Sequence, residues 1–386
     1  MFMNTNNKKT WTKFQLFMQL GLSYLFLVSV GLAAIASASF NYSLSRFDQS
    51  FHYFSQQLIA FILCGVMIVL ITFIKLPKKY SRMRNYKFLE SDKVLVVIYL
   101  ISIVLLILVP IIGEERNGAK RWIFGMQPSE FIKISYILYA AKLMSKLDKE
   151  DTNNLFSLVK KYWPNFVFLA MLPALIILQS DLGTIIHYAW IFISMIVLSK
   201  FRFRDILGTA AFVFSSAIPF ALTEGYRMKR IGEWWDGIKI NGIGGGYQVE
   251  QSVIGMGNGG LLGTGYGNGV QKYQWLPEIH TDFIFASIGE EWGFLACCLI
   301  LFAFILMFTS GITMAIKIKD SFPKYVTIGI ISYIVAQAIM NLYVITGIVP
   351  VKGIPLPFIS YGRSSLISLS ICIGLLFNIL RFAELE

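Results

Sequence analysis

The segment at residues 272–291 contains the side chains best suited to acid–base chemistry. Residues 276–282 read Leu-Pro-Glu-Ile-His-Thr-Asp, and a long apolar run follows at once. Asp282 is therefore predicted at the entrance of an apolar helix, with Glu278 and His280 nearby. A carboxylate beside apolar surface has a raised pKa and can act as a general base near neutral pH. The alternative is that Asp282 only caps the first turn of the helix.

Paired cations beside an aromatic ring define a second candidate segment. Lys120, Arg121 and Trp122 are consecutive, and residues 127–133 follow with the sequence Gln-Pro-Ser-Glu-Phe-Ile-Lys. Two adjacent cations with a tryptophan suit an anionic head group at a membrane interface. The alternative is that these side chains only anchor the protein there, with the cations snorkelling beside an aromatic belt.

Carboxylates next to or inside apolar runs are the third kind of candidate. Pro128 suits the first turn of a helix, and Glu130 and Lys133 are three residues apart, so they share a helix face. A carboxylate inside a membrane span is costly, which favours a functional role for Glu130. Asp181 lies at the tip between two apolar runs, where capping a helix and acting in catalysis are compatible roles.

Composition places these polar segments in a membrane protein. Hydrophobic residues make up 56% of the 386 residues and charged residues 15%, whereas a soluble domain has about a quarter charged residues. The net charge of +12 does not indicate nucleic-acid binding, because the Lys and Arg residues cluster at the ends of apolar runs. The four cysteines lie in or beside apolar runs without metal-type spacing, which predicts buried free thiols.

Apolar runs predict one all-α, polytopic membrane domain over residues 1–386 with about ten transmembrane helices. A span needs about 20 apolar residues, and candidate runs lie near 14–40, 57–75, 94–113, 128–147, 164–178, 182–199, 205–223, 282–316, 325–349 and 356–381. Glu290 and Glu291 fall about two turns into the eighth run, where one of them is expected to face a polar interior.

Loop charge predicts the orientation of these spans. Basic residues concentrate at 75–93, 142–161, 200–204 and 317–324, in every second loop, and such loops stay in the cytoplasm. Both termini are therefore predicted to be cytoplasmic, including the tail at 1–13. The segment at 224–281, in which the sequence shows no clear helix, becomes a large extracytoplasmic loop. The segment with the paired cations, the tip at Asp181 and the segment that contains Asp282 all open to that outer face.

Four ordered blocks resemble the SEDS family of shape, elongation, division and sporulation proteins, which FtsW, RodA and SpoVE represent. The blocks are residues 117–133, 179–184, 246–291 and 347–365, the last containing Gly-Ile-Pro-Leu-Pro-Phe-Ile-Ser-Tyr at 353–361. The likeness covers nearly the whole chain, and details such as Ile-Gly-Glu-Glu at 288–291 resemble FtsW more than RodA.

The resemblance implies a peptidoglycan glycosyltransferase in the cytoplasmic membrane of a bacterium. Its substrate would be lipid II, an undecaprenyl-diphosphate disaccharide pentapeptide, polymerised into glycan strands at the outer face during cell division. By analogy Asp282 would be the catalytic carboxylate and Asp181 the second acidic position. A class B penicillin-binding protein transpeptidase, other division proteins and membrane lipid would be its partners, and nucleic acid would not.

The chemistry implied by the resemblance gives the remaining polar residues roles. An acceptor hydroxyl would lose a proton to Asp282 while it attacks an anomeric carbon. Basic side chains, with or without a divalent cation such as Mg²⁺ or Mn²⁺, would neutralise the departing diphosphate, and no organic cofactor is expected. The expected substrate-binding residues are Lys120, Arg121, Trp122, Gln127, Ser129, Glu130, Lys133, Gln251, Ser252, Lys272, Glu278, His280, Ser364 and Ser365.

Two departures from the family pattern leave alternatives open. Ser180 replaces the proline of the Gln-Pro-Asp block, which removes a fixed turn. Arg363 replaces the second glycine of the Ser-Tyr-Gly-Gly block, which adds a cation and could alter the backbone. The alternative functions are a lipid II transporter that makes no bonds and a division scaffold without turnover. A transporter would need charges along a path open to both faces.

Overall fold

Helices make up most of the computed structural model. It describes residues 5–74, 89–116, 119–179, 181–222, 225–242, 244–273 and 275–385. These residues form fourteen helices and one antiparallel hairpin. The elements are α1 (Thr5–Ala38), α2 (Phe40–Phe47), α3 (His52–Phe73), α4 (Asp92–Ile112), β1 (Glu114–Arg116), β2 (Ala119–Trp122), α5 (Pro128–Asp148), α6 (Leu155–Lys161), α7 (Trp163–Leu178), α8 (Leu182–Val197), α9 (Phe203–Leu222), α10 (Gly225–Asn241), α11 (Tyr247–Gly259), α12 (Ile284–Lys317), α13 (Ser321–Ile345) and α14 (Arg363–Phe382).

Length and apolarity qualify six of the described helices as membrane spans. These are the part of α1 from Thr12, together with α3, α4, α12, α13 and α14, and the pair α6 and α7, bent by 90°, would make a seventh. A helix lies at each of the ten runs predicted to span, so the all-α, multi-pass prediction is confirmed. The number ten stays a prediction, because α5, α8 and α9 do not pass the same test.

The interior position of α5 explains why it looks polar for a membrane helix. It packs against α4, α8, α13 and α14, and most of its side chains are buried, including Glu130, Lys133 and three serines. A helix surrounded by other helices does not face lipid, so its polar groups can find partners inside the bundle. The predicted face shared by Glu130 and Lys133 is confirmed.

Small residues bring the central helices into close contact. A Cβ at Gly311 of α12 would lie 2.2 Å from Ile331 of α13, and one at Gly329 of α13 would lie 2.3 Å from Met195 of α8. Lipid chains are as apolar as these side chains, so close packing replaces the hydrophobic effect as the reason the helices associate.

The segment at 224–281 contains helices, although the sequence showed no clear helix there. It contains α10 and α11, and α11 packs along α12. The glycines inside α11, at 255 and 257, weakened the helical pattern there, since glycine is among the poorest helix formers. The segment at 41–56, between the first two predicted spans, contains most of α2 and the start of α3.

The last helix begins later than its predicted start at residue 356. α13 ends at Ile345 and α14 begins at Arg363, so residues 346–362 form a non-helical connection, here called the proline loop. Prolines 350, 355 and 357 explain the difference, because proline lacks the N–H group of a helix and pushes the preceding residue towards extended backbone.

α12 is interrupted at Gly293, whose φ of 78° is not helical. The interruption frees backbone groups, and the glycine-rich segment 260–265 pairs with them. Phe294 N–H donates to Gly260 O at 2.9 Å, and Thr264 N–H donates to Glu290 O at 2.9 Å. Every backbone group in a low-dielectric setting needs such a partner, so the break and the segment stabilise each other.

The side chains of Glu290 and Glu291 bind the residues that follow this segment. Glu290 accepts from Val270 N–H at 2.8 Å, and Glu291 accepts from Gly267 N–H at 3.0 Å. Glu291 also forms a buried ion pair with Lys272 at 3.0 Å. The expectation that one of the two glutamates meets a polar interior is confirmed, and both do.

Replacing Gly293 with alanine is expected to destabilise the protein by about 2 kcal/mol or more, since a side chain is strained at this φ. The new Cβ would also lie 2.3 Å from Gly263 N. Thermal unfolding of the purified protein in detergent measures the loss as a midpoint lowered by a few degrees. Gly257→Ala is the control, because a Cβ there meets nothing within 4 Å and alanine favours a helix. Equal midpoints for the two variants would contradict this account of the break.

Candidate active site

Asp282 lies at the junction between the segment 276–283 and α12. Phe283 is the N-cap residue of α12, and the cap has no side-chain hydrogen bond, so the capping alternative for Asp282 is wrong. The Asp282 carbonyl accepts from Asn341 Nδ2 at 2.7 Å. The same amide donates to Ile354 O at 2.8 Å. One side chain of α13 therefore ties Asp282 to the proline loop.

The carboxyl group of Asp282 faces Gly353 of the proline loop. A Cβ at Gly353 would come within 3.0 Å of Asp282 Oδ2, so glycine leaves the space that the carboxylate uses. Burial and, to a smaller extent, the nearby charge of Glu278 raise the pKa of Asp282, Arg230 opposes them, and the net result is a pKa of about 7. The side chain remains partly exposed. A partly accessible carboxylate with this pKa can exchange protons at neutral pH.

Residues 360–365 meet the Asp282 segment from the other side. Tyr361 N–H donates to His280 O at 3.0 Å. Ser364 accepts from Gln127 N–H at 3.0 Å. Ser365 accepts from Gln337 Nε2 at 3.1 Å. The first, third and fourth sequence blocks therefore converge. Burial lowers the pKa of His280, and the nearby charge of Glu278 opposes this.

Asp181 caps α8, as predicted. Its carboxylate accepts from Thr184 N–H at 3.2 Å and from the Thr184 hydroxyl at 2.9 Å. A Cβ at Gly183 would lie 3.5 Å from both Asp181 Oδ1 and Ile354 Cδ1. Asp181 and Asp282 are therefore close to consecutive residues of the proline loop, Ile354 and Gly353. Ser180 lies outside the described residues.

Glu130 and Lys133 form a buried pair beneath this region. Lys133 Nζ lies 2.6 Å from Glu130 Oε1, and the Tyr333 hydroxyl donates to Glu130 Oε2 at 3.0 Å. Ser368 of α14 donates to the Glu130 carbonyl at 2.7 Å. Breaking such a pair would leave one buried charge without a partner, which costs about 3–5 kcal/mol. The pair joins α5, α13 and α14 and also satisfies their polar groups.

The two predicted cations at 120 and 121 lie on a hairpin at the end of α4. Lys120 is opposite Glu115, and Trp122 is opposite Glu114. Lys120 is exposed, whereas Arg121 and Trp122 are partly buried. The hairpin leads through residues 123–126 to Gln127, whose N–H contacts Ser364, so these cations are placed on the same side as the first turn of α14. Asn117 and Gly118 are not among the described residues.

Several predicted substrate-binding residues have partners within the protein. Ser252 is buried and donates to Ile345 O at 3.0 Å. Lys272 is paired with Glu291, and Glu278 accepts from the Thr281 hydroxyl at 2.8 Å. Gln251 is partly exposed, and the buried Ser129 hydroxyl has no hydrogen-bond partner among the described residues. Binding of substrate by these five residues stays a prediction.

Arg363 is accommodated without backbone strain. It begins α14, it is exposed, and among the described residues it is not one of those with a positive φ. The preceding Gly362 has an extended φ of 173°. Burial raises the pKa of Tyr361, and the charge of Arg363 is near enough to oppose that rise. The cation therefore lies beside the candidate site, and the concern about backbone geometry is not supported.

Metal binding by the protein alone finds no support in the described residues, which contain no group of three or more His, Cys, Asp and Glu side chains able to hold an ion. The four cysteines are free, and three of them are buried. The divalent cation stays a prediction, and no chemical step below depends on it.

Gln337 and Asn341 are site residues that we did not single out from the sequence. Together with Tyr333 they occur every four residues in α13, so they share one face of an otherwise apolar helix. Polar groups within a span usually mark an interior path or a structural junction. That spacing was the available signal, and the structure shows that this face contacts the proline loop.

The fold and the site define a multi-pass helical membrane protein with a carboxylate at the start of a membrane helix, held against a proline-rich loop. Residues 18–385 match the family described as "Cell cycle protein", which comprises FtsW, RodA and SpoVE. The chain belongs to this family, and the resemblance stated from the four blocks is confirmed.

Curated relatives span nearly the whole chain. Stage V sporulation protein E of Bacillus subtilis is 36% identical over 369 residues, which cover 93% of this chain and 95% of that protein. The probable peptidoglycan glycosyltransferase FtsW of Geobacter metallireducens is 34% identical over 362 residues, covering 92% and 91%.

Solved structures share the fold at lower identity. A chain from the study "Structural coordination of polymerization and crosslinking by a peptidoglycan synthase complex" has a TM-score of 0.70 and 22% identity, covering 94% of this chain and 96% of that one. The rod shape determining protein RodA of Thermus thermophilus has a TM-score of 0.66 and 21% identity, covering 94% and 96%.

The charges around Asp282 predict opposite pH shifts for two variants. Activity that needs ionised Asp282 should rise as pH increases through about 7. Arg230→Gln removes a positive charge, so it should raise the pKa of Asp282 and move this rise to higher pH. Glu278→Gln removes a negative charge and should move it to lower pH. Each shift should be a few tenths of a pH unit, because solvent screens these groups.

Both shifts are tested by measuring, from pH 5.5 to 9, the initial rate of the reaction that needs ionised Asp282. Lys229→Gln is the matched control, because it removes an exposed cation of the same helix, α10, that interacts with Glu233. Shifts of the same sign for Arg230→Gln and Glu278→Gln would argue against Asp282 as the titrating group.

Proposed function

We propose that this protein is a peptidoglycan glycosyltransferase that polymerises lipid II at the outer face of the cytoplasmic membrane. The observation that supports this most directly is the state of Asp282. Its carboxyl group is partly exposed, faces the gap left by Gly353, and has a pKa of about 7. Such a group is suited to remove a proton from a sugar hydroxyl near neutral pH.

The proposed reaction is a displacement at an anomeric carbon. The acceptor hydroxyl transfers its proton to Asp282 while its oxygen forms the new glycosidic bond. The bond between the anomeric carbon and the diphosphate oxygen breaks, and undecaprenyl diphosphate leaves with the electron pair. Asp181, which is bound to Thr184, orients the loop residues that lie between the two carboxylates.

Positive charge for the diphosphate is available beside Asp282. Arg230 is near enough to affect its pKa, and Arg363 is near Tyr361. Lys120 and Arg121 on the hairpin are further candidates. Cations held where negative charge accumulates lower the barrier without needing to reorganise during the reaction.

Names of relatives support the cellular setting. Several curated relatives are called probable peptidoglycan glycosyltransferase FtsW, and another is a sporulation protein. We propose a role in cell division in a bacterial cytoplasmic membrane. The related structure comes from a study of polymerisation and crosslinking by a peptidoglycan synthase complex. We therefore propose a class B penicillin-binding protein as the crosslinking partner.

Replacing Asp282 with asparagine should reduce polymerisation of lipid II by about 100-fold or more, because a general base typically contributes a factor of this size. The assay follows labelled lipid II with purified protein, with and without the transpeptidase. Asp48→Asn is the control, since Asp48 is exposed and has a left-handed φ of 56° that asparagine tolerates.

Normal polymerisation by Asp282→Asn would refute the proposed mechanism. If the wild-type protein with its partner made no polymer but moved lipid II across a vesicle membrane, the transporter alternative would replace this proposal.

A further inference from the structure

Four aromatic rings from distant parts of the chain meet beside Asp282. They are Tyr42 of α2, Tyr53 of α3, His280, and Tyr361 of the proline loop, and we call them the ring cluster. The Tyr53 ring lies 4.8 Å from His280, 4.9 Å from Tyr361 and 5.7 Å from Tyr42, centroid to centroid. Tyr42 lies 5.0 Å from His280. His280 also lies 5.9 Å from Tyr361, so Tyr53 and His280 each contact the other three rings and together form the centre of the cluster.

The ring cluster is partly open to its surroundings. His280 is buried, whereas the three tyrosines are each partly exposed. Arg46 and Glu278 are exposed at its edge, where both lie near enough for their charges to act on the Tyr53 hydroxyl. A cluster that served only as core would be covered.

Hydrogen bonds hold the outer tyrosines in position. Arg46 Nη1 donates to the Tyr42 hydroxyl at 2.8 Å, and the Tyr361 hydroxyl donates to Gln56 Oε1 at 2.9 Å. Among the described residues, the hydroxyl of Tyr53 makes no hydrogen bond. The centre of the cluster thus combines fixed ring surfaces with a hydroxyl that is available to a ligand.

The ring cluster and the Asp282 carboxylate share their supports. His280 precedes Asp282 by two residues, and its carbonyl is bound by Tyr361 N–H. The charge of Glu278 raises the pKa of Asp282, and the same charge is near enough to interact with the Tyr53 hydroxyl. A ligand that lies on these rings would therefore extend to the carboxylate.

The chemistry of the cluster fits a pyranose ring. One face of such a sugar presents C–H groups, which pack on aromatic surface, while its hydroxyl and N-acetyl groups bond with polar groups at the rim. Binding sites combine aromatic walls with a few placed polar groups in this way. We propose that the ring cluster binds the acceptor sugar, with the attacking hydroxyl directed towards Asp282. This inference rests on the proposed function and deepens it.

Tyr53→Leu should raise the KM for lipid II on the order of tenfold, the factor expected for losing one aromatic contact and its hydroxyl, and should change kcat less. Tyr53→Phe keeps the ring and should fall between Tyr53→Leu and the wild type. Phe51→Leu is the matched control. Phe51 is near Tyr53 in sequence and exposed, but its ring pairs are with Phe40 and Phe54, outside the cluster.

A binding measurement separates this inference from the proposed function. Saturation-transfer NMR would be recorded with a soluble, lipid-free peptidoglycan disaccharide and Asp282→Asn protein in nanodiscs, so no turnover is needed. Transfer to the sugar ring protons is expected, with loss in the added Tyr53→Leu variant and retention in Phe51→Leu. No transfer with the Asp282→Asn protein, or equal transfer with Tyr53→Leu, would overturn the ring-cluster inference.

Kinetic measurements on the same variants also separate the ring-cluster inference from the proposed function. If the wild type polymerises lipid II but Tyr53→Leu has an unchanged KM, the ring-cluster inference is wrong and the glycosyltransferase proposal stands. If Asp282→Asn polymerises normally, the proposed mechanism is wrong whatever Tyr53 contributes. Equal KM changes in Tyr53→Leu and Phe51→Leu would indicate a general interfacial effect and would also overturn the inference.

Discussion

Hydrogen bonds from side chains to the carbonyl groups of the proline loop are the constraint on which the site depends. The loop has no helical or strand ladder, and its three prolines lack N–H groups, so several of its carbonyl groups need donors from elsewhere. The donors come from the surrounding helices. They are Gln57 to Ser360, Arg230 to Val351, Trp234 to Gly347, Gln337 to Pro355 and Asn341 to Ile354. Because Asn341 also binds the Asp282 carbonyl, the loop and the carboxylate are positioned together.

The glycine-rich segment before Asp282 also depends on a neighbouring helix for its hydrogen bonds. Its N–H groups donate to the carboxylates and carbonyls of Glu290 and Glu291 in α12, and its carbonyl groups accept from α12 N–H groups freed at Gly293. Both connections therefore take their shape from a neighbouring helix rather than from internal regularity. This explains how non-helical backbone persists beside membrane helices, where each unsatisfied polar group would cost several kcal/mol.

The sequence predicted the helical class, the location of most apolar helices and the helix face shared by Glu130 and Lys133, because hydrophobic runs and intramembrane charges are strong local signals. It did not predict α10 and α11, whose composition is mixed, or the break at Gly293, which depends on pairing with residues 260–265. Nor did it predict the donors on α13. Their importance comes from a loop that lies about 15 residues away in sequence and folds back, which periodicity alone does not reveal.

The hydrogen bond from Tyr361 N–H to His280 O has a consequence for the order of biosynthesis. It joins the Asp282 segment to a residue 25 positions from the C-terminal end of the chain, and Gln57 near the N-terminal end contacts the adjacent Ser360. Contacts between such distant positions form late, because the intervening chain must first be ordered. A nascent chain would therefore insert the helices from α1 to α13 before this site exists, and the arrival of the proline loop and α14 would assemble it.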